Sequence, residues 1–274
     1  MDFLYIDPII RFERNLYSSI NRAKENAYSQ TTNFWERRHR ELKRIIVNND
    51  VQTVFQPIMK FDNSEIIGYE ALTRISSMEF FNDTETLFSF ATQTEMILEL
   101  ERICRRNAIK MLYNFHNNKK LFLNVSAKGI MDPELLDGKF TKEIERASIP
   151  EDSIVLEITE RLAIRDLDLF KEGVKKLEDS GFSVAIDDVG AGYSTLHTIA
   201  ELNPSFLKYD MALVRNIHRH TIKRQLLESL ITFSKKINTT IIAEGIETEG
   251  EFKTLKNMGI EYGQGFFFAK PAPL

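Results

Sequence analysis

The chain has 274 residues, 43% hydrophobic and 28% charged, a globular balance that excludes a disordered or collagen-like polymer. With 36 Lys and Arg against 40 Asp and Glu its formal net charge is −4, so the whole molecule offers no attraction to DNA or an anionic membrane, and any phosphate-bearing ligand has to be held locally. The single cysteine, Cys104, allows no intrachain disulfide, no run approaches the ~20 apolar residues of a membrane span, and the start MDFLYIDPIIRFERN lacks a signal-peptide layout, so the expected compartment is the cytoplasm.

Residues 1–48 read as a helical extension. Asp7 and Pro8 form a cap and first-turn pair, and Ile9, Phe12, Leu16, Ile20, Ala23 and Ala27 recur with helical spacing. After the polar break SQTTN, a second helix sets Phe34, Trp35, Leu42, Ile45 and Ile46 on an apolar stripe, with Arg37, Arg38, Arg40, Lys43 and Arg44 elsewhere. Glu36 and Glu41 interrupt those cations, which makes them a solvated helix face rather than a nucleic-acid or membrane surface.

Residues 49–274 read as one barrel domain. Short β-branched or aromatic runs alternate with helical patterns, as in a parallel sheet wound with helices. The strands are VQTVFQPIM, EIIGYEALTR, LFLNVS, IVLEIT, SVAIDDV, SFLKYD, TTIIAEGI and YGQGFFF. Only KFDNS separates the first two, too short for a crossover helix, so they pair antiparallel. Helices are expected over about 84–117, 132–147, 166–180, 211–237 and 249–258, the second opening on Asp132 and Pro133. The fold class is α/β: a modified (β/α)8, TIM-like barrel with an antiparallel first strand, preceded by the helical segment. No closing helix follows the last strand, so either the N-terminal helices cover that side or the sequence belongs to a longer protein.

The strands from the second to the seventh end in an acid, an amide or a lysine: Glu70, Asn124, Glu157, Asp187 with Asp188, Lys208 and Glu244. Enzymes of this architecture keep their active sites at that C-terminal rim. Five carboxylates converging there need cations, because two unit charges ~4 Å apart repel by about 4 kcal/mol at an effective dielectric near 20. An all-oxygen set without His or Cys suits Mg²⁺ or Mn²⁺ rather than zinc. Adjacent Asp187 and Asp188 point in different directions on a strand, so the first can bridge two ions while the second reaches one; two ions would support in-line displacement at phosphorus, with Lys208 orienting the water.

These residues carry a resemblance. Glu70-Ala71-Leu72-Thr73-Arg74 is similar to the signature of the EAL-domain family of cyclic di-GMP phosphodiesterases. In the same order as in that family come Gln56-Pro57-Ile58, Asn124-Val125-Ser126, Glu157-Ile158-Thr159-Glu160, Asp187 to Ser194, Lys208-Tyr209-Asp210, Glu244-Gly245-Ile246-Glu247 and Gln264-Gly265-Phe266. The resemblance runs from about Val51 to Pro271. It implies hydrolysis of cyclic di-GMP to linear pGpG with Mg²⁺ or Mn²⁺, two ions in all. By motif position Glu70, Asn124, Glu157 and Asp187 would hold the first ion, and Asp187, Asp188 and Glu244 the second. Lys208 would contact the water, with Glu244 open between ligand, general base and both; Glu70 joins them as a catalytic residue. Gln56, Leu72, Arg74, Asp210, Glu247 and Gln264 are the implied substrate residues, Arg74 toward phosphate. Glu160 would anchor the loop after Asp188, which couples the site to a homodimer interface. Val189 and Ala191 stand where the family usually has Phe and Thr, which bears on that loop's stiffness.

Other motifs read more simply. Cys104 lies in an amphipathic helix rather than a thiol active site, Gly190-Ala191-Gly192 makes a loop rather than a dinucleotide cradle, and His218 and His220 read as surface residues. Phe80, Phe81, Phe88, Phe90 and the run Phe266-Phe267-Phe268 read as packing rather than ligand contacts. Two further readings stay open: a receptor that binds cyclic di-GMP without cutting it and signals to an additional regulatory domain or protein partner, and a phosphodiesterase acting on another diester.

Overall fold

The computed structural model describes residues 19, 33–75, 79–112, 119–159, 167–190 and 196–274. Among them eight strands close into a barrel in sequence order: β1 (Val51–Lys60), β2 (Ile66–Ile75), β3 (Lys120–Val125), β4 (Ile154–Thr159), β5 (Ser183–Val189), β6 (Phe206–Tyr209), β7 (Thr240–Ala243) and β8 (Tyr262–Gly263). β1 runs antiparallel to β2 and β8, and all other neighbours are parallel. The short hairpin forces that reversal, because parallel neighbours require a crossover.

The strands bury both faces. Outward-facing Leu121, Leu123, Ile154, Leu156, Ile158, Val184 and Ile186 pack beneath the helices, while Ile58, Phe122, Val155, Ala185, Phe206 and Ile242 fill the interior. At Gly68 the sheet has no room for a side chain, since a Cβ would lie 2.5 Å from the Lys120 carbonyl oxygen.

Helix α1 (33–48) belongs to the N-terminal segment and sits against α2 (Thr84–Gln93) and α3 (Ile97–Leu112). Leu42 and Ile45 of its apolar stripe are fully buried with Phe81, Leu87 and Leu100, each side chain worth about 1.5–3 kcal/mol of burial. Phe34 and Trp35, expected on the same stripe, are about half exposed. Arg38 is not on a solvated face: its guanidinium lies 4.8 and 4.7 Å from the ring centroids of Phe81 and Phe90. The described part of this segment therefore covers the β2–β3 side, not the β8 side, where the chain end pairs with β1 through Phe55 and Ala272. The first helix expected from Ile9 to Ala27 lies outside the described residues apart from residue 19, as does the end of the 84–117 segment.

Three expected helices are broken. Glu95 with φ of 62° separates α2 from α3; Gly138 with φ of 72° separates α4 (Pro133–Leu136) from α5 (Lys139–Arg146); Asn216 with φ of 56° follows α8 (Met211–Val214), before α9 (Thr221–Lys236). Left-handed single residues stop a helix that periodicity alone would extend. α6 (Leu167–Asp179) and α10 (Glu249–Asn257) lie where expected, and α7 (Leu196–Leu202) was not foreseen. β8 stops at Gly263 instead of running through the phenylalanines, since Gly265 lies against the backbone of Ile246, whose carbonyl oxygen a Cβ would meet at 2.1 Å. No described helix is long and apolar enough to cross a membrane.

Candidate active site

Alternation along each strand builds the barrel mouth. A strand repeats its face every second residue, so one step above the interior layer come Asn124 after Phe122, Glu157 after Val155, Asp187 after Ala185, Lys208 after Phe206, Glu244 after Ile242 and Gln264 after Tyr262. On reversed β1 the step from Ile58 leads back to Gln56, whose register partner is Glu70. Asn124 and Glu157 face each other across β3 and β4. Thus residues up to 208 positions apart share one layer because every strand keeps the same phase.

Lys208 stands at the centre, 0% exposed. Its ammonium lies 2.6 Å from Glu157 Oε1, 2.9 Å from Glu244 Oε1, and 3.4 Å from both Glu70 Oε2 and Asp187 Oδ1. Gln264 Nε2 donates to Glu70 Oε2 at 2.6 Å and to Glu244 Oε1 at 3.1 Å, and Asn124 Nδ2 donates to Glu70 Oε1 at 3.2 Å.

The electrostatics separate the three glutamates around the ammonium. Burial, reinforced by Asp187 and only partly offset by Lys208, pushes the Glu244 carboxyl well above its ordinary value; burial does the same to Glu157 despite the Lys208 charge. Burial also works on Glu70, but the ammonium and the amides of Gln264 and Asn124 prevail and hold it below the usual range. Desolvation opposes the Lys208 charge, yet four surrounding carboxylates drive its affinity for the proton well upward.

Asp188 departs from the strand geometry expected of it. Its φ of 59° is left-handed, a conformation costing an L-residue about 1–2 kcal/mol, and the β5–β6 register shifts between Ile186 and Val189. Strict alternation would send consecutive carboxylates to opposite faces; here Asp187, Asp188 and Glu244 offer oxygens within 4.8 Å of one another. Asp188 N–H donates to Asp187 Oδ1 at 3.0 Å.

This arrangement fits hard divalent cations. Among the described residues, both carboxylate oxygens of fully buried Glu157 lack an aligned hydrogen bond, and Oε1 lies 2.6 Å from the Lys208 ammonium. Five acids against one ammonium leave 1 − 5 = −4 if all are ionised, and the surrounding donors are all oxygen or amide.

The residues expected to hold substrate are more scattered. Gln56 is buried beside the ring and donates to the Ala269 carbonyl at 3.1 Å. Leu72 and Arg74 continue the Glu70 face of β2 toward the rim, where Arg74 is exposed and donates to the Thr73 carbonyl at 2.8 Å. Asp210 caps α8 by accepting from Ala212 N–H at 2.8 Å, and exposed Glu247 pairs with Arg215. Glu160 and Ala191 to Ser194 lie outside the described residues. His218 is a half-buried residue with its Nδ1 enclosed, not the surface histidine expected, while His220 is exposed. Phe266 and Phe267 are also exposed rather than packed in the core, and Phe268 stacks on Phe61. Cys104 has its thiol pushed up to about 11 by burial, which suits packing and not nucleophilic chemistry. Sequence reasoning missed Glu251, a buried carboxylate below the rim; the spacing Thr248-x-x-Glu251 of a capping box is the signal that finds it.

Residues 39–271 match the family model described as the EAL domain. The chain belongs to the EAL-domain family. Among curated relatives, this EAL domain is 26% identical over 236 residues to the cyclic di-GMP phosphodiesterase PdeR of Escherichia coli, an alignment covering 85% of this chain and 35% of that protein. It thus spans about a third of the length of that relative. Among solved structures, a standalone versatile EAL protein from Vibrio cholerae, in a c-di-GMP-bound form, is 31% identical with a TM-score of 0.69, over 81% of this chain and 92% of that one. BlrP1 of Klebsiella pneumoniae, solved as a complex with manganese and cyclic di-GMP, is 28% identical with a TM-score of 0.73, over 81% of this chain and 56% of that one.

Proposed function

We propose that this barrel mouth hydrolyses cyclic di-GMP to linear pGpG with two divalent cations, Mg²⁺ or Mn²⁺. The observation that carries the reading is the buried ring of carboxylates around a single lysine, one residue step above the barrel's apolar filling. The relatives named above, with their cyclic di-GMP and manganese complexes, support the substrate and the metal class. Glu70, Asn124, Glu157 and Asp187 would hold the first ion, and Asp187, Asp188 and Glu244 the second. Such ions lower the pKa of water and offset charge developing at phosphorus.

The chain's own residues do the rest. Lys208, driven strongly toward its protonated form, orients the attacking water and offsets the negative charge of the phosphodiester. Glu244, whose carboxyl burial raises and which lies 2.9 Å from the Lys208 ammonium, is the candidate general base as well as a ligand. Gln264 bridges Glu70 and Glu244 and fixes their separation. Gln56, Leu72 and Arg74 line the β2 exit for the substrate, Arg74 toward phosphate, with Asp210 and Glu247 on the far rim. A cytoplasmic homodimer, a Glu160-anchored loop that senses it, and a regulatory role for residues 1–48 beside the 49–274 barrel belong to the same proposal.

Purified protein incubated with Mn²⁺ is expected to convert cyclic di-GMP to pGpG, and Glu70→Ala or Asp187→Ala to abolish the product, read by chromatography. Intact dinucleotide after long incubation, with binding seen by calorimetry, replaces this reading by that of a receptor. Product formation by either variant at the wild-type rate removes the ligand assignment.

A further inference from the structure

Two loops close the ring on one side. One runs from Asp210, just after β6 and its Lys208, through α8 to Asn216; the other follows β7 from Glu244 to Thr248. Neither contains regular structure longer than one helical turn: α8 is a single turn ending near left-handed Asn216, and the second loop turns at Gly245 with φ of 65°. They interlock tightly: a Cβ on Gly245 would lie 2.4 Å from Met211 Cβ, and Arg215 pairs with Glu247 across the gap.

Beneath both loops sits Glu251, 0% exposed, in the first turn of α10. Its Oε2 accepts the N–H groups of Glu247 and Thr248, each at 3.0 Å, and the Thr248 hydroxyl accepts the Glu251 N–H at 3.3 Å. That much is a capping box, which needs one carboxylate oxygen. The other oxygen, Oε1, accepts the N–H of Asn216 at 2.8 Å, 35 positions away on the other loop. This bond does nothing for the helix cap. Burial alone would raise the Glu251 carboxyl, yet three main-chain donors hold it below its ordinary range, so it serves as an ionised clamp.

We propose that Glu251 is a positioning residue: it locks the loop that follows Lys208 and β6 to the loop that carries Glu244, and so supports the 2.9 Å contact between those two side chains. Fully buried, it offers no surface to a substrate. The inference rests on the phosphodiesterase reading for its effect on rate, but its structural half does not.

The test compares the full chain with Glu251→Ala, Glu251→Gln and Thr248→Ala. Glutamine retains one acceptor and turns an amide N–H₂ toward the other donors, so it keeps the cap or the inter-loop bond but not both. With Mn²⁺ and cyclic di-GMP, kcat is expected to fall about tenfold for Glu251→Ala and less for Glu251→Gln, with KM within about threefold, as for misplaced catalytic groups. Thr248→Ala, which removes cap bonding alone, is expected to lower Tm while keeping kcat. Amide exchange at Asn216 should quicken in Glu251→Ala and stay slow in Thr248→Ala. Unchanged kcat in a folded Glu251→Ala with reduced Tm would leave Glu251 as a cap only and overturn the inference. If the wild type turns nothing over, the phosphodiesterase reading fails separately, and Asn216 exchange decides: no acceleration in Glu251→Ala overturns the clamp.

Discussion

Two charge clusters, each centred on fully buried residues, are built on opposite principles. On α3, α4 with its cap, and α5, Arg102, Arg105, Arg106 and Lys139 meet Glu101, Asp132, Glu134 and Glu143, four against four. Fully buried Asp132 binds Arg102 at 2.7 Å and Arg105, and still accepts Glu134 N–H at 3.0 Å; Glu101 accepts Ser126 N–H at 2.8 Å as well as Arg105 at 3.3 Å. Every charge there is matched and bonded. At the mouth, four carboxylates surround one ammonium with Asp188 beside them, and neither Glu157 oxygen has an aligned hydrogen bond among the described residues. A balanced cluster fixes structure, whereas an unbalanced one stores affinity for something positive, at the expense of the bare fold.

The sharpest break of this contrast is Arg105→Ala. It strands Asp132 and Glu101 as buried acids and is expected to destabilise the fold by about 3–5 kcal/mol, measured by urea denaturation. A loss below about 1 kcal/mol would show that the network is ornamental. Next in size is metal addition: Mn²⁺ at a hundred times its dissociation constant should stabilise the wild type by about 2.7 kcal/mol and Asp187→Asn by much less, read as a shift in Tm. In metal-free buffer the same Asp187→Asn should gain about 0.5–2 kcal/mol by relieving repulsion; a loss there would contradict the stored-affinity account.

Acidity should act with opposite signs on individual acids within both clusters, since Glu70 at the mouth is held low while Glu157 and Glu244 beside it are raised. Glu157 and Glu244 have raised carboxyls, so their contribution to folding grows as pH falls from neutral and is complete below the unfolded Glu value of about 4.3. Glu101, raised by burial, follows the same direction. Burial works against Asp132 too, but its arginines and the Glu134 N–H hold it low, so its stabilisation exists above about pH 3.9 and is lost as pH falls through its folded value. Metal-free protein should therefore gain stability on mild acidification and lose it in stronger acid, and Asp132→Asn should flatten only the second limb of a pH series of denaturation midpoints.

Much of this was legible from residue order. Period-two runs ending in acids marked the rim, the five-residue gap at KFDNS dictated an antiparallel β1, and the motifs from Gln56 to Gln264 carried the family. These signals are local, so sequence contains them. The helix break at Glu95 was not legible, because a glutamate enters the left-handed region only where its surroundings compel it, whereas Asn216 is a residue that tolerates that region. The exposure of Phe266 and Phe267 was decided the same way, by Gly265 lying against Ile246. The sequence by itself determined which residues carry charge and on which face of each strand they stand. Only the tertiary structure decided that Lys208 meets four acids, that Asp188 turns back beside Asp187, and that Glu251 spans two loops, since those distances depend on how the barrel closes and on electrostatics that act through space rather than along the chain.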